Sequence, residues 1–221
     1  MSERFQVKDV AELPDSLPIF PLAGVLLLPG GFLPLNIFEP RYLQMIEDAL
    51  GSGRLIGMVQ PANPAERAFQ PEVYPLGCAG RLTAFKETDD GRYLITLKGV
   101  CRFQIGEELP QVRLYRKVRP QWTAFAGDLK EADEDFAIDK KRLFAALKPF
   151  FEVHGIKAEW PTLESVSPLT LVTSLAMMCP FEPREKQALL EAKTLAERTE
   201  LLTALIEMAV MQKMRGPGAN Q

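Results

Sequence analysis

LPIFPLAGVLLLPGGFLPLNIF, residues Leu17 to Phe38, runs for 22 positions without a charge and passes directly into EPRYLQMIEDAL at Glu39 to Leu50. A stretch of ~18 or more apolar residues has the length of a membrane span. This one also holds Pro18, Pro21, Pro29 and Pro34, with Gly24, Gly30 and Gly31 among them. Each internal proline removes an amide donor and crowds the preceding helical turn, and in lipid the freed carbonyls would find no water. The stretch therefore reads as short buried strands joined by turns, and a membrane is not expected as a partner. The segment after it reads as a helix over Glu39–Leu50. Pro40 sits near its first turn, Gly51 stands at its end, and Tyr42, Met45, Ile46, Ala49 and Leu50 share one face.

The bulk composition is that of a globular chain with a sizeable core. Of 221 residues, 47% are hydrophobic and 25% charged, which leaves no need for a disulfide or metal staple. A net charge of −3 and a pI near 5.4 offer little attraction to phosphates or anionic lipid. Cys78, Cys101 and Cys179 form an odd set without CxxC spacing and read as reduced, buried thiols. The polar residues ahead of Leu17 lack the apolar core of a secretory signal, so the expected compartment is the cytoplasm.

Strand signals fill the first half. Arg54–Gln60 ends at Pro61, and the proline-rich Pro61–Pro71 reads as a surface loop. Val73–Lys86 and Arg92–Lys98 flank Thr88–Gly91, where Asp90-Gly91 between apolar runs predicts a hairpin. Gly99 predicts a bend or bulge before Val100–Ile105. Val112–Arg119 alternates, with Val112, Leu114 and Val118 on one face, Arg113, Tyr115, Lys117 and Arg119 on the other, and Arg116 interrupting the apolar face, as in a half-buried antiparallel strand.

Helical signals fill the rest. Asp133, Glu134 and Asp135 suit the start of a helix, and Phe136, Leu143, Leu147, Phe150 and Phe151 recur at helical spacing up to Gly155. Ser167-Pro168 opens another helix that Pro180 stops, and Glu182-Pro183 opens a third, with a break near Thr194 and helical pattern to about Met214. The expected fold class is α+β: a β-rich unit over 1–125, a helical bundle over 126–215 and a disordered tail over 216–221.

Several stretches, taken in order, resemble the N-terminal substrate-binding domain of Lon proteases. They are the opening LPIFPLAGVLLLPGGFLPLNIFEPRYLQMIEDAL, GMVQP at 57–61, GCAGRLTAF at 77–85, DGRYLITLKGVCRFQI at 90–105 and CPFEPREKQALLEAKTLAERTELL at 179–202. The FEPRYLQMI wording is most similar to the stand-alone bacterial members. The resemblance implies a PUA-like β pseudo-barrel followed by an α-helical bundle, and a polypeptide-binding role. Full Lon carries an ATPase module with a GxxxxGK[ST] phosphate loop and a serine–lysine peptidase module. No GxxxxGK[ST] occurs here, and the Gly216-Pro-Gly218 cluster has no lysine or following helix to hold a phosphate. A stand-alone, non-catalytic protein is the expectation.

The remaining chemistry supports that expectation. His154 is the single histidine, so any Ser-His-Asp or Cys-His site would have to use it, and its place before Gly155 suits a helix C-terminus. No metal-ligand spacing is present, and neither a metal nor a cofactor is expected. Arg81 and Arg102 interrupt apolar strands and are expected on a solvated face or bound to carboxylates and carbonyls.

Candidate polypeptide contacts are Leu28, Phe32 and Leu33 from the Pro-Gly region and Met208, Met211 and Met214 from the late helix, because thioethers can repack around varied partners. Strand-edge pairing would add backbone hydrogen bonds to such a partner. The alternative is RNA on Arg113, Tyr115, Lys117 and Arg119, a basic and aromatic strand face. With 14 basic and 14 acidic residues in 1–125, that attraction is weak and nucleic acid is not the expected partner. Under the polypeptide reading, an adaptor delivering substrates to a separate protease stays open.

Overall fold

The computed structural model describes residues 7–63, 65, 68, 70–110, 112–130 and 138–215. The acidic helix start at Asp133, Glu134 and Asp135, together with Phe136 and the tail over 216–221, lies outside them. The chain divides into two compact units, Met1–Ala132 and Asp133–Gln221.

The first unit is built from β1 (Leu17–Pro21), β2 (Phe32–Ile37), α1 (Pro40–Leu50), β3 (Leu55–Val59), β4 (Leu76–Glu87), β5 (Tyr93–Glu108) and β6 (Arg116–Gln121). The prolines do break the opening run. It yields two strands, β1 and β2, joined through left-handed glycines at Gly24 (φ +73°) and Gly30 (φ +79°). β1 lies parallel to β3 and antiparallel to β6, β3 pairs with β4, and β4 pairs with β5. The far half of β5 then pairs with β6, which closes five strands into a barrel. The near half of β5 carries β2 on its other side, outside the barrel.

β5 serves both assemblies because it bends where Gly99 was expected to bend it. Ala79 faces Cys101 while Gly80 faces Gly99, so Val100 is the extra residue of a bulge. A side chain at Gly99 would collide with the Leu28 carbonyl, which the close approach of the Pro-Gly segment excludes.

The barrel interior is filled by Leu17, Ile19, Leu55, Val59, Ala79, Cys101, Phe103 and Val118, with Trp122 at one end. Phe103 lies against the bare backbones of Gly57 and Gly77 and 5.6 Å from the Trp122 ring. Thr123–Leu129, a 3-10 segment, is held to β5 by the buried Arg102–Asp128 ion pair. α1 buries Tyr42, Met45, Ile46 and Ala49, as its spacing predicts. Two tyrosines anchor it: the Tyr93 hydroxyl donates to Glu47 and the Tyr115 hydroxyl to Asp48, each at 2.7 Å.

β6 keeps the expected phase at Val118 and Arg119 but is shorter than the expected Val112–Arg119. The strand begins at Arg116, and Val118 and Pro120 point inward while Arg119 and Gln121 point out. Val112 and Leu114 precede the strand and are exposed, and Tyr115 is buried. Alternation gives the phase of a strand but not where its pairing begins, so the residues ahead of Arg116 do not follow it.

The second unit holds α2 (Lys140–His154), α3 (Trp160–Ser165), α4 (Pro168–Met178), α5 (Pro183–Glu191) and α6 (Leu195–Arg215). α6 packs against α2, α4 and α5. Leu143, Leu147, Phe150, Leu171, Val172, Leu189, Leu202 and Ile206 are among the buried residues of this unit. The Ser167 hydroxyl accepts the Thr170 N–H, Glu182 and Glu185 form a capping box, and Gly155 ends α2 at φ +65°. Buried Lys186 and Arg198 are helix-end caps: Lys186 donates to the Met177 carbonyl, and Arg198 to those of Leu189 and Ala192.

Candidate functional site

Outside the barrel, β2, the first half of β5 and the end of β4 form a three-stranded sheet with two distinct faces. Antiparallel partners share a face, so the register sorts the side chains into rows. Phe32 stands beside Lys98 and Arg81, Pro34 beside Thr96 and Ala84, and Asn36 beside Leu94 and Lys86. The opposite face carries Ile37, Leu82, Ile95 and Leu97, which are buried, together with Phe85, which is exposed and packs on Tyr93. The first face is open: Phe32 is 53% and Leu94 43% exposed. Its middle and lower rows line a shallow concavity of about 490 Å³.

That face combines apolar surface with positive charge. No aspartate or glutamate occupies any of its nine positions, whereas Arg81, Lys86 and Lys98 do. Lys98 Nζ lies 5.8 Å from the centre of the Phe32 ring, within cation–π range. Among the described residues, neither lysine has a carboxylate in ion-pair reach. Arg81 donates to the Gly53 carbonyl at 3.0 Å. Burial, and then the like charge of Arg54, push its pKa below the ordinary guanidinium value.

The outer edge of β2 is poorly suited to strand addition. The Gly99 N–H donates to the Gly31 carbonyl at 2.8 Å, so odd-numbered residues of the following strand turn their backbone groups toward β5. Phe32, Pro34 and Asn36 therefore face outward, and the central one has no N–H. Proline on an open edge blocks a continuous ladder.

The sequence candidates separate on this geometry. Phe32 belongs to the open face and Leu33 is half-buried on the other. Leu28 is fully buried, with its carbonyl against Gly99, and offers nothing to a partner. Met208, Met211 and Met214 are 49%, 50% and 72% exposed along α6 of the second unit, where Met178 is exposed as well.

The RNA candidates do not form a stacking platform. Tyr115 is buried with its hydroxyl on Asp48, and Arg113 and Arg119 lie near Asp48 and Glu107, at 3.4 and 3.5 Å. Lys117 Nζ lies over the Tyr115 ring, 5.6 Å from its centre.

Arg102 is bound to Asp128, one of the two roles expected for it. His154 Nδ1 lies 2.9 Å from the Phe150 carbonyl, at the end of α2. The three cysteines are free and buried, and burial raises the pKa of each, to about 12 for Cys101 and Cys179. Among the described residues no group of three or more His, Cys, Asp or Glu side chains could hold a metal, and no helix is long and apolar enough to cross a membrane.

Leu94, Lys98 and Lys86 are the residues that sequence reading missed. Their signal was present in the alternation of Leu94, Thr96 and Lys98 against Tyr93, Ile95 and Leu97, in which a lysine marks the open face.

The first unit is thus a closed β-barrel bearing an open, apolar and basic sheet face, and the second is helical. The chain belongs to the family described as the ATP-dependent protease La (LON) substrate-binding domain, whose model matches residues 16–208. Lon protease of Flavobacterium johnsoniae is 27% identical over 199 residues, covering 85% of this chain and 23% of that protein. Lon protease 2 of Myxococcus xanthus is 29% identical over 203 residues, covering 88% and 24%. The chain thus spans about a quarter of the length of these curated relatives. In structure it is similar to a Lon N-terminal domain protein from Xanthomonas campestris, with a TM-score of 0.60, 23% identity and coverage of 86% of this chain and 97% of that one. The fold is the PUA-like pseudo-barrel and helical bundle of Lon N-terminal domains.

Proposed function

We propose that this chain is a non-catalytic receptor for unfolded or extended polypeptide, acting in the cytoplasm as an adaptor or chaperone-like factor beside a protease. The observation that carries this reading is the open β2–β5–β4 face, where Phe32, Pro34, Ala84 and Leu94 stand uncovered by any part of their own unit. Burying one large apolar side chain contributes ~1.5–3 kcal/mol, and ordering a flexible segment offsets much of that. A few such contacts give weak, broad affinity, which suits capture of varied chains. Contact through the face, not strand addition at the Pro34 edge, is the mode this geometry favours. The methionine stripe of α6 is a second apolar surface for the same class of partner.

A labelled, permanently unfolded polypeptide titrated against the protein tests the reading. Saturable binding is expected, weakened roughly tenfold by Leu94→Asp with the far-UV spectrum unchanged. No saturable binding up to ~300 µM would rule it out.

A further inference from the structure

We infer that the segments this face selects are extended stretches in which an apolar side chain is flanked by acidic ones two residues away on either side. This rests on the polypeptide-binding reading above and specifies its substrate class. The first ground is charge. The face carries three cations and no anion among its nine positions, although the surrounding half of the sequence is balanced. Glu87 pairs with Tyr93 and so lies on the opposite face, while Asp90 is held by Arg92 at 2.9 Å. Lys86 and Lys98 are exposed and have no carboxylate in reach among the described residues, so their charges are available to a ligand.

The second ground is spacing. Lys98 and Arg81 share one end row, and Lys86 stands in the row of Leu94 at the other end. Four residues along a strand separate those rows by ~13 Å. An extended peptide has the same rise, and its side chains at i, i+2 and i+4 point to one side. Acidic groups at i and i+4 would therefore meet the two basic rows. The side chain at i+2 would come down over Pro34, Thr96 and Ala84, the apolar middle row. Exposed ion pairs are individually weak and screened by salt, so two of them supply selectivity on top of the apolar contact and not affinity alone.

Three fluorescein-labelled peptides of one sequence distinguish the outcomes. They carry glutamate, glutamine or lysine at i and i+4 around a central leucine, and are titrated beside the unfolded polypeptide used above. The glutamate peptide should bind roughly tenfold more tightly than the glutamine peptide in low salt. That advantage should disappear in the double variant Lys86→Glu, Lys98→Glu and in high salt.

Both substitutions lie at exposed positions, and an unchanged thermal midpoint would show that the fold is intact. Equal binding of the glutamate and glutamine peptides would overturn the acidic-flank inference while the unfolded polypeptide still bound. Failure of every peptide and of the unfolded polypeptide would remove the polypeptide reading itself. Tighter binding of a labelled single-stranded oligouridylate, lost in the same double variant, would overturn the inference in favour of nucleic acid.

Discussion

Arg102 and Asp128 are joined three times: Nη2 to Oδ1 at 2.8 Å, Nε to Oδ2 at 2.9 Å, and the Arg102 backbone N–H to Oδ2 at 2.9 Å. Their side chains are only 7% and 10% exposed. Burial alone would lower the arginine's pKa, but the hydrogen bond and charge of Asp128 raise it above its ordinary value. Asp128→Ala leaves a buried guanidinium without its carboxylate and should cost ~3–5 kcal/mol. The double variant Arg102→Met, Asp128→Leu removes both charges and should recover more than half of that loss. Urea unfolding of the three proteins is the measurement. A loss below ~1 kcal/mol for the single variant, or a double variant no more stable than the single one, would contradict the role assigned to the pair.

Phe103 fits the barrel because two of its neighbours have no side chain. A Cβ at Gly57 would lie 2.7 Å from Phe103 Cζ and 2.9 Å from Leu17 Cδ2, both side-chain atoms. One at Gly77 would lie 2.8 Å from the same ring and 2.7 Å from the Met58 carbonyl oxygen, which is backbone. Gly57→Ala and Gly77→Ala should each destabilise by ~1–3 kcal/mol through overpacking. In a Phe103→Leu background the cost of Gly57→Ala should shrink, whereas that of Gly77→Ala should persist. Double-mutant cycles read this directly, and simple additivity at Gly57 would refute the packing argument.

High pH should unfold the protein sooner than its charge balance suggests. Burial raises Cys101 and Cys179 from 9.0 to about 12, with Asp128 adding to the effect at Cys101. The hydrogen bond to Glu47, then burial, raises Tyr93 from 10.0 to about 12. Each group is neutral when protonated, so between its ordinary and raised values the folded chain keeps a proton that the unfolded chain has lost. Stability is therefore fully present below about pH 9 and declines as pH rises toward about 12. Urea midpoints at about pH 8 and about pH 11 should show the fall, and Cys179→Ala should flatten it. Equal midpoints at the two pH values would disprove this assignment.

The elements that sequence reading recovered are those with local causes. Asp90-Gly91 set the hairpin, Ser167-Pro168 set the start of α4, and the Tyr42, Met45, Ile46 and Ala49 face set α1. Barrel closure is not local. It depends on β1 lying parallel to β3 and antiparallel to β6, pairings between segments far apart in sequence. The site was half legible for the same reason. Phe32 followed from composition, but its neighbours Lys98 and Leu94 became neighbours only through the β2–β5 register. Leu28 and Phe32 are equally apolar, yet Leu28 is buried with its carbonyl against Gly99 and Phe32 is exposed.

Pro34 occupies the outward-facing centre of the β2 edge, so its missing N–H interrupts the one stretch of that strand able to template another chain. Replacing it with a β-branched residue restores the donor and strengthens the local strand preference. Pro34→Val should therefore increase concentration-dependent self-association, which light scattering across a dilution series would detect. The thermal midpoint should hold or rise, because the exposed position leaves the added side chain unhindered. Charge separates edge pairing from face stacking. Edge pairing is carried by backbone hydrogen bonds and should survive high salt, and Asn36→Pro on the same edge should abolish it. Association of Pro34→Val no greater than that of the parent would show that the proline does not guard this edge.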